Sequence, residues 1–172
     1  LILQKVIKKH DGRLFNSGGD SFFIEFPSAV EAVECAVAFQ KDIKKRNSSD
    51  KITVPLEFRI GISMGDVIKE KENLLGDGVN IAARLEALAQ TNGITISKNI
   101  YDLVKAKTSH QYNDLGIQKV KKNEFHAYDI LLDPSQKRKL KTQKSNKPIL
   151  AIAASLLVIA VVSFLYITQV NK

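Results

Sequence analysis

A single cysteine, Cys35, occurs in the 172 residues, so no disulfide can close within the chain. That suits a reducing compartment. Histidine is nearly as scarce. His10, His110 and His126 are far apart and lack the spacing of a metal site, which argues against a centre built from histidine or cysteine. Acidic residues are missing from 134–172, where Lys137, Arg138, Lys139, Lys141, Lys144, Lys147 and Lys172 hold seven of the eight net positive charges. The rest of the chain is close to neutral. The total of +8 therefore does not mark a nucleic-acid binder, because the charge is confined to one segment. Charge of either sign is absent from Ile149 to Val170, ILAIAASLLVIAVVSFLYITQV.

That uncharged run is long enough for a membrane. About 20 helical residues cross a hydrocarbon core of ~30 Å. Tyr166 lies near its far edge, where an aromatic anchor would sit. A buried core helix is the alternative, but few soluble helices are apolar on every face for this long. Its C-terminal place excludes a secretory signal. The lysines before it predict that residues 1–148 face the cytoplasm, and they could also touch anionic lipid. At the other end no methionine precedes Leu1 and LILQKVIKK opens in mid-helix, so the natural chain is expected to extend upstream.

Between these ends the patterning is that of a folded domain. Ile2, Leu3, Val6 and Ile7 share one side of a helix over 1–9. Arg13 to Asn16 and Ser21 to Phe26 read as a hairpin around Ser17 to Gly19. Ser28 with Glu31 forms a capping-box signature for the next helix, where Cys35 reads as a small buried filler. Strands are predicted over 56–62 and 67–68, a charged loop over 69–73 and a helix over 78–90. Beyond it follow a strand over 94–97, a helix over 99–105 and strands over 112–121 and 125–131. This order predicts an α+β sandwich with helices on one face of a mainly antiparallel sheet. The expected domains are a body at 1–132, a basic linker at 133–148 and a membrane helix at 149–170.

Two stretches carry candidate chemistry. In NSGGDSFFIEF a tight glycine turn presents Asp20, a good place for an oxygen ligand to Mg²⁺, or for a carboxylate that only shapes the turn. In GDGVNIAARL, Asn80 and Arg84 are four apart and stack on one helix edge, while Ile81, Leu85, Leu88 and Ala89 form the buried face. Glu86 and Gln90 are expected to point to water. An amide and a guanidinium aimed at one place suit a sugar and a phosphate. A capping Asn and a surface Arg would look the same.

GDGVNIAARLEALA resembles the signature helix of class III nucleotidyl cyclases. FRIGISMGDV resembles the strand and turn before that helix, FNSGGDSFFIEF their metal-bearing hairpin, and DLGIQKVKK with FHAYDILLD their closing strands. The similarity spans about residues 1–132. The GGDEF hairpin of diguanylate cyclases echoes GGDSF, but the GDGVNIAAR helix belongs to the class III family alone. The resemblance implies a ferredoxin-like α+β sandwich that works as a homodimer. Asp20 would be one of two aspartates holding two Mg²⁺ or Mn²⁺ ions, Asn80 would orient the ribose, Arg84 would stabilise the transferred phosphoryl group, and Lys121 would bind the triphosphate. It further implies a bacterial, inner-membrane adenylate cyclase that converts ATP to cyclic AMP and pyrophosphate.

Some positions depart from the family pattern. The first metal aspartate belongs to a strand that would precede Leu1, so these 172 residues alone are expected to be inactive. Adenylyl members often select the base with a Lys four before the hairpin Asp and an Asp seven before the signature Asn, and guanylyl members with Glu and Cys. Here the two positions are Asn16 and Asn73, whose amides offer donor and acceptor to a purine. A guanylate cyclase, or a degenerate cyclase fold serving as nucleotide sensor or dimerisation module, is the alternative.

Overall fold

The computed structural model describes residues 1–50, 52–70, 73–120 and 123–138. Lys121 and the expected membrane helix 149–170 lie outside the described residues. No helix among the described residues is long and apolar enough to cross a membrane.

The elements run α1 (Ile2–Lys9), β1 (Arg13–Gly18), β2 (Ser21–Glu25), α2 (Ala29–Asn47), β3 (Ile60–Ile62), β4 (Ile68–Glu70), β5 (Asn73–Leu75), α3 (Asp77–Leu88), β6 (Ile94–Ser97), α4 (Lys98–Val104), β7 (Gln111–Val120) and β8 (Asn123–Leu131). A 3-10 turn, Pro134–Gln136, follows. Strands β3-β6-β8-β7 form a four-stranded sheet, antiparallel except for the parallel β3–β6 pair, while β1–β2 and β4–β5 are separate hairpins.

The register decides which helix covers which face. Ile94 pairs with Ile130 and Ile96 with Tyr128, and all four join Val33, Ala36 and Val37 of α2 and Ile100 and Val104 of α4 in one core. The alternate residues, Thr95 opposite Asp129 and Ser97 opposite Ala127, point the other way. There Ala127 meets Leu85 of α3 and Leu115 of β7. The α+β architecture matches the expectation, but the helices do not share one face: α3 covers the side opposite α2 and α4. A third cluster joins Val6 and Ile7 of α1 to Cys35, Phe39 and Ile43 of α2.

Local structure departs from the expectation in places. The strand expected over 56–62 is reduced to Ile60–Ile62 because side chains take the earlier backbone groups. Asn47 bonds both Leu56 N (3.0 Å) and Leu56 O (2.7 Å), Asn92 accepts from Phe58 N, and Gln40 donates to Phe58 O. The region expected as a charged loop supplies the two strands of the β4–β5 hairpin. At the start of α2, Ser28 caps the Glu31 amide at 3.2 Å as expected, whereas the Glu31 carboxylate bonds His10 Nδ1 at 2.7 Å.

Candidate active site

The β1–β2 hairpin closes on the pair Gly18 and Ser21. Gly19 supplies the left-handed residue that the turn needs, at φ +61°. Asp20 follows it and is exposed, and among the described residues its Oδ1 accepts only a long hydroxyl contact from Ser21 (3.5 Å). The carboxylate is therefore open to an added ligand. A bulge between Leu14 and Asn16 resets the alternation, and Asn16 stands exposed opposite Phe23. β1 passes within 8 Å of β5, Cα to Cα, so the strands bearing Asn16 and Asn73 are neighbours.

α3 is seated by glycines. A Cβ on Gly61 in β3 would come 2.1 Å from the Ala82 carbonyl oxygen and 2.3 Å from the Glu86 nitrogen. One on Gly65 would meet Gly78 at 2.9 Å, and one on Gly76 would meet the Asp66 carbonyl at 2.4 Å. Gly76 also holds φ +147° at the helix N-cap. The helix thus lies backbone on backbone over β3 and the loop after it. Leu85 is fully buried beneath it and Ala89 nearly so, with Ile81 and Leu88 packed alongside. On the outer side Glu86 pairs with Arg59 at 2.9 Å, and Gln90 donates to the Gln136 carbonyl, so neither is simply solvated.

Asn80 is exposed at the start of this helix and Arg84 is half-buried one turn on. Arg84 Nη1 is shielded from solvent and has no hydrogen-bond partner among the described residues. A buried donor left unpaired costs about 1–3 kcal/mol. His10 Nε2, Gln40 Oε1 and Ser63 Oγ share this state among the described residues, so it does not by itself mark a ligand; a guanidinium fork does fit phosphate oxygens.

Among the described residues no hydrogen bond or ion pair joins Asp20 to Asn80 or Arg84. A cleft of about 460 Å³ lies between α1 and the hairpin, lined by residues such as Leu3, Ile7, Leu14 and Phe22 and by none of the candidate side chains. Nor do three His, Cys, Asp or Glu side chains gather for a metal among the described residues. Asp20 fits Mg²⁺ as one oxygen ligand, since that ion takes one or two carboxylates and fills its shell with phosphate and water. Asn73 lies on β5 and Lys121 falls outside the described residues.

Sequence reading missed a polar cluster beneath α3. Asp129 accepts from Thr95 Oγ1 at 2.6 Å and from Arg138 at 2.8 and 3.1 Å. Its signal was a polar residue at a core position in each of two apolar strands, ITIS and HAYDIL.

Residues 2–132 match the family model for the adenylate and guanylate cyclase catalytic domain. A Rhizobium meliloti (strain 1021) protein named "Putative adenylate cyclase 3" is 40% identical over 120 residues, which are 70% of this chain and 20% of that protein. "Adenylate cyclase 1" of the same organism is 28% identical over 137 residues, covering 70% of this chain and 21% of its own length. The chain thus spans about a fifth of these relatives. The solved adenylate/guanylate cyclase/hydrolase of Silicibacter pomeroyi superposes with a TM-score of 0.71 at 29% identity, over 76% of this chain and 79% of that one. The adenylyl cyclase CyaB of P. aeruginosa gives 0.63 at 26%, over 80% and 79%.

Proposed function

Because the chain belongs to the adenylate and guanylate cyclase catalytic domain family, we propose that the natural full-length protein converts ATP to cyclic AMP and pyrophosphate. The observation that carries this reading is the family match over residues 2–132, within which Asn80 and Arg84 stand one turn apart on α3. In the reaction the ribose 3′-oxygen forms a bond to the α-phosphorus, the bond from that phosphorus to the pyrophosphate oxygen breaks, and the hydroxyl proton passes to solvent. Asn80 would hold the ribose so that the 3′-oxygen faces phosphorus in line, and Arg84 would meet charge growing on the phosphoryl oxygens. Asp20 would hold Mg²⁺ or Mn²⁺, which when bound lowers the hydroxyl pKa and neutralises phosphate charge. Lys121 would take the triphosphate.

Two protomers form each site in this reading, the hairpin of one facing α3 of the other. The absence of any bond between Asp20 and Arg84 among the described residues supports it. A guanylyl cyclase domain of Blastocladiella emersonii, 25% identical with a TM-score of 0.58, is described as a non-canonical dimer, which supports pairing of such domains and not this particular arrangement. ATP is favoured over GTP by the names of the two Rhizobium relatives. Asn16 and Asn73 are what keep guanylate cyclisation, or nucleotide sensing without turnover, as the second reading.

We also assign residues 149–170 to a bacterial inner membrane, with residues 1–132 as the cytoplasmic catalytic domain and 133–148 as the basic linker. The uncharged run and the lysines before it support this, and release of the protein from membranes by alkaline carbonate would exclude it.

The test is to give the natural full-length protein Mn²⁺ with equal ATP and GTP and identify cyclic products by mass spectrometry, with Asp20→Ala as control. Cyclic AMP that is lost in the control is the expected result. Cyclic GMP overturns the substrate, and nucleotide binding without pyrophosphate release replaces the enzyme with the sensor.

A further inference from the structure

Arg138 belongs, by sequence, to the basic linker, yet it is one of the most heavily bonded cations of the fold. Its Nε donates to Asp129 Oδ2 at 2.8 Å, and Nη2 donates both to Asp129 Oδ1 (3.1 Å) and to the Leu88 carbonyl (2.8 Å). Asp129 is 6% exposed and also receives the hydroxyl of fully buried Thr95. The backbone around Arg138 is pinned as well. Its carbonyl accepts from Asn113 Nδ2 at 2.7 Å, and the Gln136 carbonyl accepts from Gln90 Nε2 at 3.1 Å. The Gln136 side chain in turn accepts from the Leu132 and Asp133 amides.

Leu88 is the last residue of α3, so its carbonyl is one of those a helix leaves without an internal partner. A cation there also suits the negative end of the helix dipole. α3 has no basic residue in its own last turn and no side-chain cap at its start. The missing cation is brought from fifty residues later in the chain. Elsewhere α3 lies backbone to backbone on Gly61 and Gly65, packs Leu85, Ile81 and Leu88 against Leu115 and Ala127, and pairs Glu86 with Arg59. The last turn of α3 is held by the Arg138 bond to Leu88 and, just beyond it, by Gln90 on the Gln136 carbonyl, and any shift of α3 carries Asn80 and Arg84 with it.

We propose that Arg138 is a positioning residue of the cyclase site, locking the C-terminal end of α3 to Asp129 of β8 so that Asn80 and Arg84 are held in register. The proposal rests on the cyclase reading above. It also ties the signature helix to the segment that, in chain order, leads directly into the basic run and the apolar residues 149–170.

The test compares wild-type full-length protein with Arg138→Lys and with the neutral pair Arg138→Gln/Asp129→Asn. Lysine keeps the charge beside Asp129 but cannot span both its oxygens and the Leu88 carbonyl. The neutral pair leaves no uncompensated buried charge, so it remains informative if the lysine variant folds poorly. Expected are a fall in kcat of roughly 10- to 100-fold, KM within about twofold of wild type, and faster hydrogen exchange in the last turn of α3. Unchanged exchange, or full kcat per folded molecule despite faster exchange, overturns the role. So does a raised KM with kcat intact. Wild-type protein that yields no cyclic nucleotide sinks the cyclase reading itself, whereas wild type and variants that cyclise equally sink only the role of Arg138.

Discussion

Gly65 and Gly78 meet backbone to backbone: a methyl group on Gly65 would lie 2.9 Å from the Gly78 Cα. This contact seats the start of the helix carrying Asn80, and Gly61 seats its middle, where an added Cβ would reach 2.1 Å from the Ala82 oxygen. Backbone cannot swing aside as a side-chain tip can. Gly61→Ala and Gly65→Ala should therefore each destabilise the fold by about 1–3 kcal/mol, the usual cost of overpacking, with Gly61→Ala the worse. Thermal unfolding measures this. A Gly61→Ala protein that melts like wild type would show that α3 does not ride on β3.

Arg84 should behave in the opposite way. Its Nη1 is buried without a partner, so truncation removes an unpaired donor and no stabilising hydrogen bond at that atom. Arg84→Ala should leave the melting temperature unchanged or raise it, while turnover drops about 10²- to 10³-fold, as for loss of one group that stabilises transition-state charge. A variant that loses activity only because it unfolds contradicts this account.

Cys35 sets a pH limit. Burial, helped by the nearby Glu31 charge, pushes its thiol from 9.0 up to about 11. The native state thus holds the proton that the unfolded chain gives up near pH 9. Stability from this group is complete below pH 9 and declines as pH rises toward 11. The loss should amount to roughly 2–3 kcal/mol. Tyr112 and Tyr128 are raised by burial too and act in the same direction, so the comparison must be with Cys35→Ala. Urea unfolding at pH 8 and pH 10.5 should show a smaller loss in the variant, and equal losses would remove Cys35 as a cause.

Much of this was legible from residue order. Ser28 announced the start of α2, and the apolar positions of 81–89 announced the buried face of α3. Side-chain amides acting on backbone were not legible. Asn47, Asn92 and Gln40 replace the ladder that residues 56–58 would otherwise form, and nothing in their spacing signals it. The second sheet face was hidden for a related reason. Thr95 and Asp129 are polar residues within apolar strands, and what satisfies them, the Thr95 hydroxyl on Asp129 and Arg138 joining Asp129 to Leu88, comes from residues far apart in the chain. Of the candidate site, Asp20, Asn80 and Arg84 lie on the expected turn and helix. Among the described residues no hydrogen bond or ion pair joins Asp20 to Asn80 or Arg84, so the shared site stands as part of the proposal above.

Base selection gives the last prediction. Asn16 is exposed on β1 beside the bulge, and Asn73 lies on β5, which passes within 8 Å of β1. An amide can present either its carbonyl or its NH₂ to a purine edge, so these two positions should discriminate weakly between ATP and GTP. Removing an exposed amide leaves no buried group unsatisfied, so Asn16→Ala should cost little stability. Replacing the pair by Lys and Asp supplies one fixed donor and one fixed acceptor. The Asn16→Lys/Asn73→Asp protein should raise the ATP-to-GTP ratio of kcat/KM by about 10- to 100-fold, equivalent to about 1–3 kcal/mol of discrimination. Initial rates with each nucleotide, at matched Mn²⁺, give that ratio directly. A ratio that does not move would mean that the base lies away from these two strands, even if cyclisation itself is confirmed.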